Sequence, residues 1–505
     1  GDNTAVGVGT LGSNTTASNN TAVGRTALGV NTTGPDNTAV GHSSLDANTT
    51  GENNTAMGSA SLSANTTASN NTAVGVASLN ANTTGASNTA IGSDALAANT
   101  TGTPNTAVGK DALKANTTGA SNVSVGQGAL GDNTTGANNA AVGTVALNKN
   151  TTGVQNTAMG DGALTANTTG STNAAFGIGA LDANTTADNN TAVGAYALSG
   201  NTTAPNNTAV GKNAMFVNTT GDENTAVGSL SLDANTTGSD NAALGHRALG
   251  GNTEGTGNTA IGNDTLLLNT TADFNTAVGF GSLGANTTGD FNTAVGVSSG
   301  AAITTGSRNT IVGKDSSNQI TTGNDNTAMG FDSLTRCTTG STNTTIGKES
   351  GDNITNGAGN TCVGVDSGTN ITQGSNNVCI GNDAKISGEA SANEICIGVG
   401  FNGVGSNSFS FGKASNVVSN DFDANATFAR NSDLHKKTNI ENTDLGLTFI
   451  NELRPVTFNW KPNSEFPTHY KDYSETENNM DTETNLYGMI AQDVEKALDK
   501  VGHKN

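Results

Sequence analysis

A chain of 505 residues with 67 Gly, 33% hydrophobic and 4% aromatic content lacks the apolar volume for several conventional globular cores. Only 12% of residues are charged and 6 are Pro, which is not the composition of a charge-solvated coil and indicates instead a repetitive solenoid or fibre. A formal net charge of -21 argues against a phosphate-reading or anionic-lipid surface, and no apolar run reaches the ~18 residues of a membrane span, so neither nucleic acid nor membrane insertion is expected.

From the N-terminus the chain is a repeat. The Asn opening each Asn-Thr-Ala-Val-Gly unit falls at Asn3, Asn20, Asn37 and onward to Asn377, which is 22 intervals of 17 with no insertion or deletion. With that Asn as position 1, all 23 units carry an apolar residue at position 4 (Val6, Val23, Val40, Met57 onward) and Gly at position 5 (Gly7 to Gly381). A last unit, Ile395 to Gly398, keeps the phase, and from Gly398 to Gly412 the spacing drops to 14. So short a unit cannot hold a pair of packed helices, and its residue types are those of strands and turns, so each unit is predicted to be one coil of a parallel β-solenoid. Coils about 4.8 Å apart would give a shaft on the order of 110 Å long. Gly at position 5 is expected at a corner that a Cβ would obstruct.

Positions 9 and 12 change together. Through the first 17 coils position 9 is Leu or Met (Leu11, Leu28, Met215, Leu283) and position 12 is Asn (Asn14, Asn31, Asn218, Asn286). Then Gly300, Ser317, Gly351 and Gly368 at position 9 are matched by Ile303, Ile320, Ile354 and Ile371 at position 12, while Leu334 is matched by Cys337. Such compensation requires that both positions share one interior, so position 12 is predicted to be an inward-facing Asn ladder. The Asn-Thr-Thr at positions 12 to 14, as in Asn31-Thr32-Thr33, also reads as a glycosylation acceptor; burial of the Asn argues against that use.

Other columns give weaker signals. Cys362, Cys379 and Cys396 occupy position 3 of successive coils, a spacing unlike any CxxC framework, and they read as small buried hydrophobes rather than metal ligands. Phe274 and Phe291 at position 17, with Phe280 between them in sequence, form the main aromatic cluster of the regular coils. They suit either a sugar- or receptor-binding surface or a packing contact between subunits. Paired Thr columns at positions 13 and 14 suggest ice binding only superficially, because adjacent residues of a strand point to opposite faces. The repeat G-G-x-G-x-D of calcium-binding solenoids is absent, and no cofactor or metal is expected. A depolymerase would need two carboxylates across a cleft, and coils without insertions supply no loops to build one.

After Asn431 the composition changes. More than a quarter of the residues beyond that point are charged, against a tenth of those before it, and Gly all but disappears. Residues 1–412 thus read as the shaft, 413–431 as a linker or strand, and 432–505 as a separate α+β unit with a strand near Val456 to Trp460 and an amphipathic helix near Met489 to Leu498. Within it, Ser432 and Lys437 put a hydroxyl and an amine five positions apart; a partly buried Lys of lowered pKa can take a Ser proton, although at this spacing both also read as ordinary surface residues.

Three segments carry a resemblance. Ser432-Asp433 with Lys437, Asn439 and Ile440, then Ile450-Asn451-Glu452-Leu453-Arg454-Pro455-Val456-Thr457-Phe458-Asn459-Trp460, then Tyr487-Gly488-Met489-Ile490-Ala491-Gln492-Asp493-Val494 are similar, in order, to the motifs of the peptidase S74 family. That family is the intramolecular chaperone at the C-terminus of many phage tail fibres, tailspikes and neck appendages. The resemblance implies assembly of three chains and self-cleavage at the Asn431 to Ser432 bond, with Ser432 as nucleophile and Lys437 as base. The coils resemble Asn-Thr-Ala-Val-Gly shafts of phage fibres and, more distantly, the heads of trimeric autotransporter adhesins. The expectation is a homotrimeric virion fibre whose partners are itself, a host-surface receptor such as a glycan, and other tail or baseplate proteins. The alternatives are a trimeric adhesin on a bacterial surface and, less favoured, a capsule depolymerase tailspike.

Overall fold

The computed structural model describes residues 1–423, 445–469, 473–476, 480 and 482–502. The chain divides into two compact units, Gly1–Ala426 and Thr427–Asn505.

The first unit is a parallel β-solenoid in which each sequence repeat forms one coil. Each coil contributes one three-residue strand at positions 2 to 4, from β1 (Thr4–Val6) to β23 (Val378–Ile380). Successive strands pair in parallel and in register, Thr21 with Thr38, Ala22 with Ala39 and Val23 with Val40. The sheet goes on through β25 (Ile395–Val399), β27 (Ser408–Lys413) and β28 (Asn416–Asp421), while β24 (Ala384–Lys385) and β26 (Phe401–Asn402) pair beside it. The shortened last step registers Gly398 against Gly412, and β28 then turns back antiparallel on β27, which ends the parallel stack.

The interior is narrow. Position 3, usually Ala, faces inward between two outward neighbours, as the alternation of a strand requires. Small residues at position 8 and Leu at position 9 complete the apolar part. Leu28, Leu45 and Leu62 are fully buried although their backbones are left-handed, with φ of 50, 50 and 51°. A left-handed residue of this kind costs roughly 1–2 kcal/mol, and burying a Leu side chain returns about as much or more. Gly at position 5 has a φ of 137° at Gly75 and 134° at Gly109, and its Cα faces the carbonyl of the Gly one coil on, so both the torsion and the close approach exclude a Cβ.

The Asn at position 12 is buried, and the column is a ladder. Fifteen successive hydrogen bonds of 2.7 to 3.2 Å run from the Nδ2 of one Asn to the Oδ1 of the Asn one coil before, starting with Asn48 to Asn31 and ending with Asn286 to Asn269. Asn286 Oδ1, next to Ile303, is left without a donor, as the end of such a ladder must be. Where the Leu disappears, the Ile fills its place: a Cβ on Gly300 would lie 3.1 Å from Ile303 Cδ1 and one on Gly351 3.0 Å from Ile354 Cδ1. The two positions share one space, and the buried Asn side chains are closed to glycosylation.

A second Asn column stands at position 1, and nothing in the residue chemistry alone singles it out. In every coil from Asn20 to Asn377 the backbone N–H of this Asn donates to the Oδ1 of its counterpart one coil earlier, as in Asn37 to Asn20 (2.9 Å) and Asn156 to Asn139 (2.9 Å). Its Nδ2 donates to the carbonyl at position 15, as Asn54 does to Ala68 (2.9 Å), and the position-12 Asn65 donates to that same carbonyl (2.9 Å). One main-chain oxygen thus joins the two columns in most of the coils that carry both, while Asn20 and Asn71 Nδ2 are left without an acceptor. The Thr at position 13 donates its hydroxyl to the carbonyl of its counterpart one coil on, Thr32 to Thr49 at 3.0 Å, so position 14 is the Thr column that faces solvent.

The second unit has α1 (Leu447–Glu452), β29 (Pro455–Phe458), a 3₁₀ turn at Asn463–Glu465, β30 (Leu486–Met489) and α2 (Ala491–Lys500). The helix expected from Met489 begins at Ala491 instead. Met489 lies in β30, which pairs antiparallel with β29, Pro455 opposite Met489 and Phe458 opposite Leu486. The ladder claims Tyr487 to Met489 and the helix takes up only after it. The strand expected over Val456 to Trp460 stops at Phe458, and Trp460 meets the Phe458 ring edge-on at 5.5 Å.

The shared space of positions 9 and 12 predicts a double-mutant cycle at the end of the ladder. Leu283→Gly should destabilise by about 2–5 kcal/mol by leaving a cavity, and Asn286→Ile should destabilise by overpacking against Leu283. The pair together, which copies the next coil, should recover most of the loss; thermal unfolding followed by circular dichroism reads all four chains. Additive losses would show that the two side chains do not compensate.

Candidate functional site

Residues with chemical potential lie in two places, one in each unit. In the C-terminal unit the structure joins the second and third motif segments. Arg454, just before β29, reaches Asp493 in the first turn of α2, with Nε and Nη2 both donating to Oδ2 at 3.1 and 2.6 Å. Lys500, in the last turn of α2, donates to Glu452 Oε2 at 2.7 Å, so both ends of the helix are tied to the chain segment that leads into β29. An acid in the first turn and a base in the last also suit the helix dipole. Ala497 is the buried contact of this helix. Glu452, Arg454, Asp493, Lys496 and Lys500 line a charged cleft with Ala497. These ion pairs fix the helix to the hairpin; being largely exposed, they contribute to orientation more than to stability. Ser432, Lys437 and the Asn431 to Ser432 bond lie outside the described residues.

In the shaft, Phe274 and Phe291 stack with ring centroids 5.4 Å apart and planes 11° from parallel. Each ring is exposed, and each backbone is left-handed, with φ of 56 and 59°. In about half of the coils position 17 takes this torsion with Asn or Asp, as at Asn19, Asp36 and Asn53, the residue types that tolerate it, so aromatic side chains here are held against a backbone preference. Gly257 precedes them in the column; a Cβ there would come within 2.7 Å of the Phe274 ring. Arg308 follows, paired through Nε and Nη2 with Asp325 at 2.7 and 2.9 Å. Phe280 belongs to a different column, at position 6, and makes no ring contact with either Phe among the described residues. The three aromatics are therefore a stacked pair and a separate exposed ring.

All four cysteines are free and buried. Burial pushes the Cys337 thiol up to about 11, and the thiols of Cys379 and Cys396 are raised well above the ordinary range, chiefly by the hydrogen bonding along their own column. Among the described residues no cluster of His, Cys, Asp and Glu could hold a metal ion, and no helix is long and apolar enough to cross a membrane.

Residues 432–503 match the family model of peptidase S74, the chaperone of endosialidase. The chain therefore ends in a chaperone-of-endosialidase domain, preceded by a β-solenoid of regular coils, an arrangement consistent with a tailspike- or fibre-type phage protein. No curated protein and no solved structure matches the chain.

Buried thiols predict a protein inert toward thiol reagents. The native chain should show less than about a tenth of its four thiols reacting with an aromatic disulfide reagent at pH 8, and all four after denaturation. Rapid titration of one or more in the native chain would place that cysteine at the surface.

Proposed function

We propose that the chain is a structural fibre of a virus, a phage tail fibre or a related surface appendage, that assembles as a homotrimer and carries contacts to a host surface. The match of residues 432–503 to the chaperone of endosialidase, placed directly behind an uninterrupted shaft, is the observation that carries this reading. A shaft of near-identical coils is prone to slip, because a shift by one whole repeat returns almost the same pattern. Long-range parallel pairing is also slow to nucleate. A C-terminal domain that brings three chains together first would fix the register before the coils wind.

In this reading the same domain then removes itself. Ser432 Oγ attacks the carbonyl carbon of Asn431, Lys437 in its neutral form takes the hydroxyl proton, and the amide nitrogen of Ser432 leaves as an amine, taking that proton up. Water hydrolyses the resulting ester, which frees the carboxylate of Asn431 and restores the Ser432 hydroxyl. Assembly would bury Lys437 and lower its pKa, so that it serves as a base near neutral pH only in the trimer. The shaft would reach its receptor, a protein or a glycan, and its other end would meet the remaining tail or baseplate proteins.

Intact mass spectrometry tests the proteolytic part. The assembled wild-type chain should lose the mass of residues 432–505, whereas Ser432→Ala, Lys437→Ala and Lys437→Arg should remain at 50.0 kDa and still assemble, the last because guanidinium keeps its proton. Cleavage of Ser432→Ala at the same bond, or an uncut wild type after complete assembly, would leave only the chaperone role.

A further inference from the structure

The strand of each coil has two outward positions and they differ in kind. Position 2 is Thr in most coils, the residue expected of a strand facing water. Position 4, on the same face, is apolar in all 23 coils. Its side chains remain substantially exposed: Ile91 42%, Met159 43%, Val193 38%, Leu244 50% and Ile346 39%. The stripe does not stop where the coil shortens. Ile397 registers with Phe411 and Phe411 with Val418, and these are 40%, 42% and 48% exposed. The inward contact of the strand comes from position 3, so the single chain's own core does not call for an apolar residue at position 4.

We infer that the position-4 stripe is the seam along which copies of this chain meet in register, coil against equal coil. This rests on the trimeric fibre reading above and adds the surface that holds it. Three observations select a second copy as the occupant. The stripe has the period of the coils and extends from Val6 to Val418, and a partner of the same period and length is another copy of the chain. Around a rotation axis parallel to the shaft, the residues that line the axis meet their own counterparts, so a charge there would face the same charge. Position 4 carries none, while position 6, on the adjoining corner, carries Arg25, Lys110, Asp161 and Lys212. Finally, side chains exposed or half-buried over the whole stripe amount to on the order of 1,000 Å² per chain, comparable to the ~800 Å² per partner of a stable interface. The larger residues, Met57, Met159, Phe176, Leu244 and Met329, interrupt the Val and Ile at unequal spacing and would mark the register.

Single cysteines in one coil of the full chain test this, since the native thiols are buried. Val193→Cys lies on the stripe and Thr203→Cys at the exposed position 14 of the same coil. After light scattering has given the mass of the assembly, mild oxidation or a short bis-maleimide should yield covalent dimers at least tenfold more from Val193→Cys than from Thr203→Cys. The pair Ile261→Cys and Thr271→Cys repeats the comparison in a second coil and guards against local damage to the first. A trimer with equal or reversed cross-linking in both coils overturns the seam and leaves the fibre reading standing. A single-chain mass overturns both.

Discussion

Most of the first 17 coils of the shaft turn on one carbonyl group, at position 15, which accepts from the amides of two asparagines, one at position 12 and one at position 1. The interior has room for an Ala, a small residue and a Leu per coil, which is too little apolar volume to hold a stack of this length by burial alone. The asparagines close the gap because each is itself a donor and an acceptor and so can link the coil before to the coil after. An amide left unpaired in that interior would cost about 1–3 kcal/mol. The coil length follows from the position-1 column: an extra residue would displace its amide from its partners, and the column and the step of 17 run together from Asn3 to Asn377.

The same stacking explains the backbone torsions. Three positions of the regular coil, 7, 9 and 17, are left-handed, and the residues found there sort by what each corner asks. Position 17 is exposed and mostly takes Asn, Asp or Ser. Position 9 is buried and takes Leu in spite of its torsion, because the interior needs the volume. Once Ile at position 12 provides that volume, position 9 becomes Gly300, Gly351 or Gly368, which relieves the strain, or the small Ser317, which keeps a φ of 49°. A change that reads in the sequence as a swap of polarity is in space a transfer of volume between neighbours.

The solenoid is legible in the sequence because a repeat displays its own alignment, so that the joint variation of positions 9 and 12 can be seen within one chain. The position-1 column is hidden for the opposite reason: it hardly varies, and constancy alone does not say which way a side chain faces. Its persistence from Asn3 to Asn377, beyond the point where position 12 turns to Ile, is the available signal. Phe280 groups with Phe274 and Phe291 by proximity in sequence, whereas stacking brings together residues one whole repeat apart. In the C-terminal unit, which has no repeat, the hairpin of β29 and β30 depends on a pairing between distant segments, and the apolar run Met489 to Ile490 reads equally well as the start of a helix. The Arg454 to Asp493 link shows why two distant motifs of that domain belong together.

If asparagine amides rather than apolar burial hold the coils together, their side-chain protons must be among the slowest in the molecule to exchange. Hydrogen exchange followed by NMR on the Asn-labelled shaft reads this directly. The Nδ2 protons of the position-1 and position-12 columns, such as Asn156 and Asn150, should be protected by several orders of magnitude relative to those of exposed position-17 residues such as Asn53 and Asn70. Exchange of all asparagine side chains at the rate of free amides, with the backbone of the strands still protected, would contradict it.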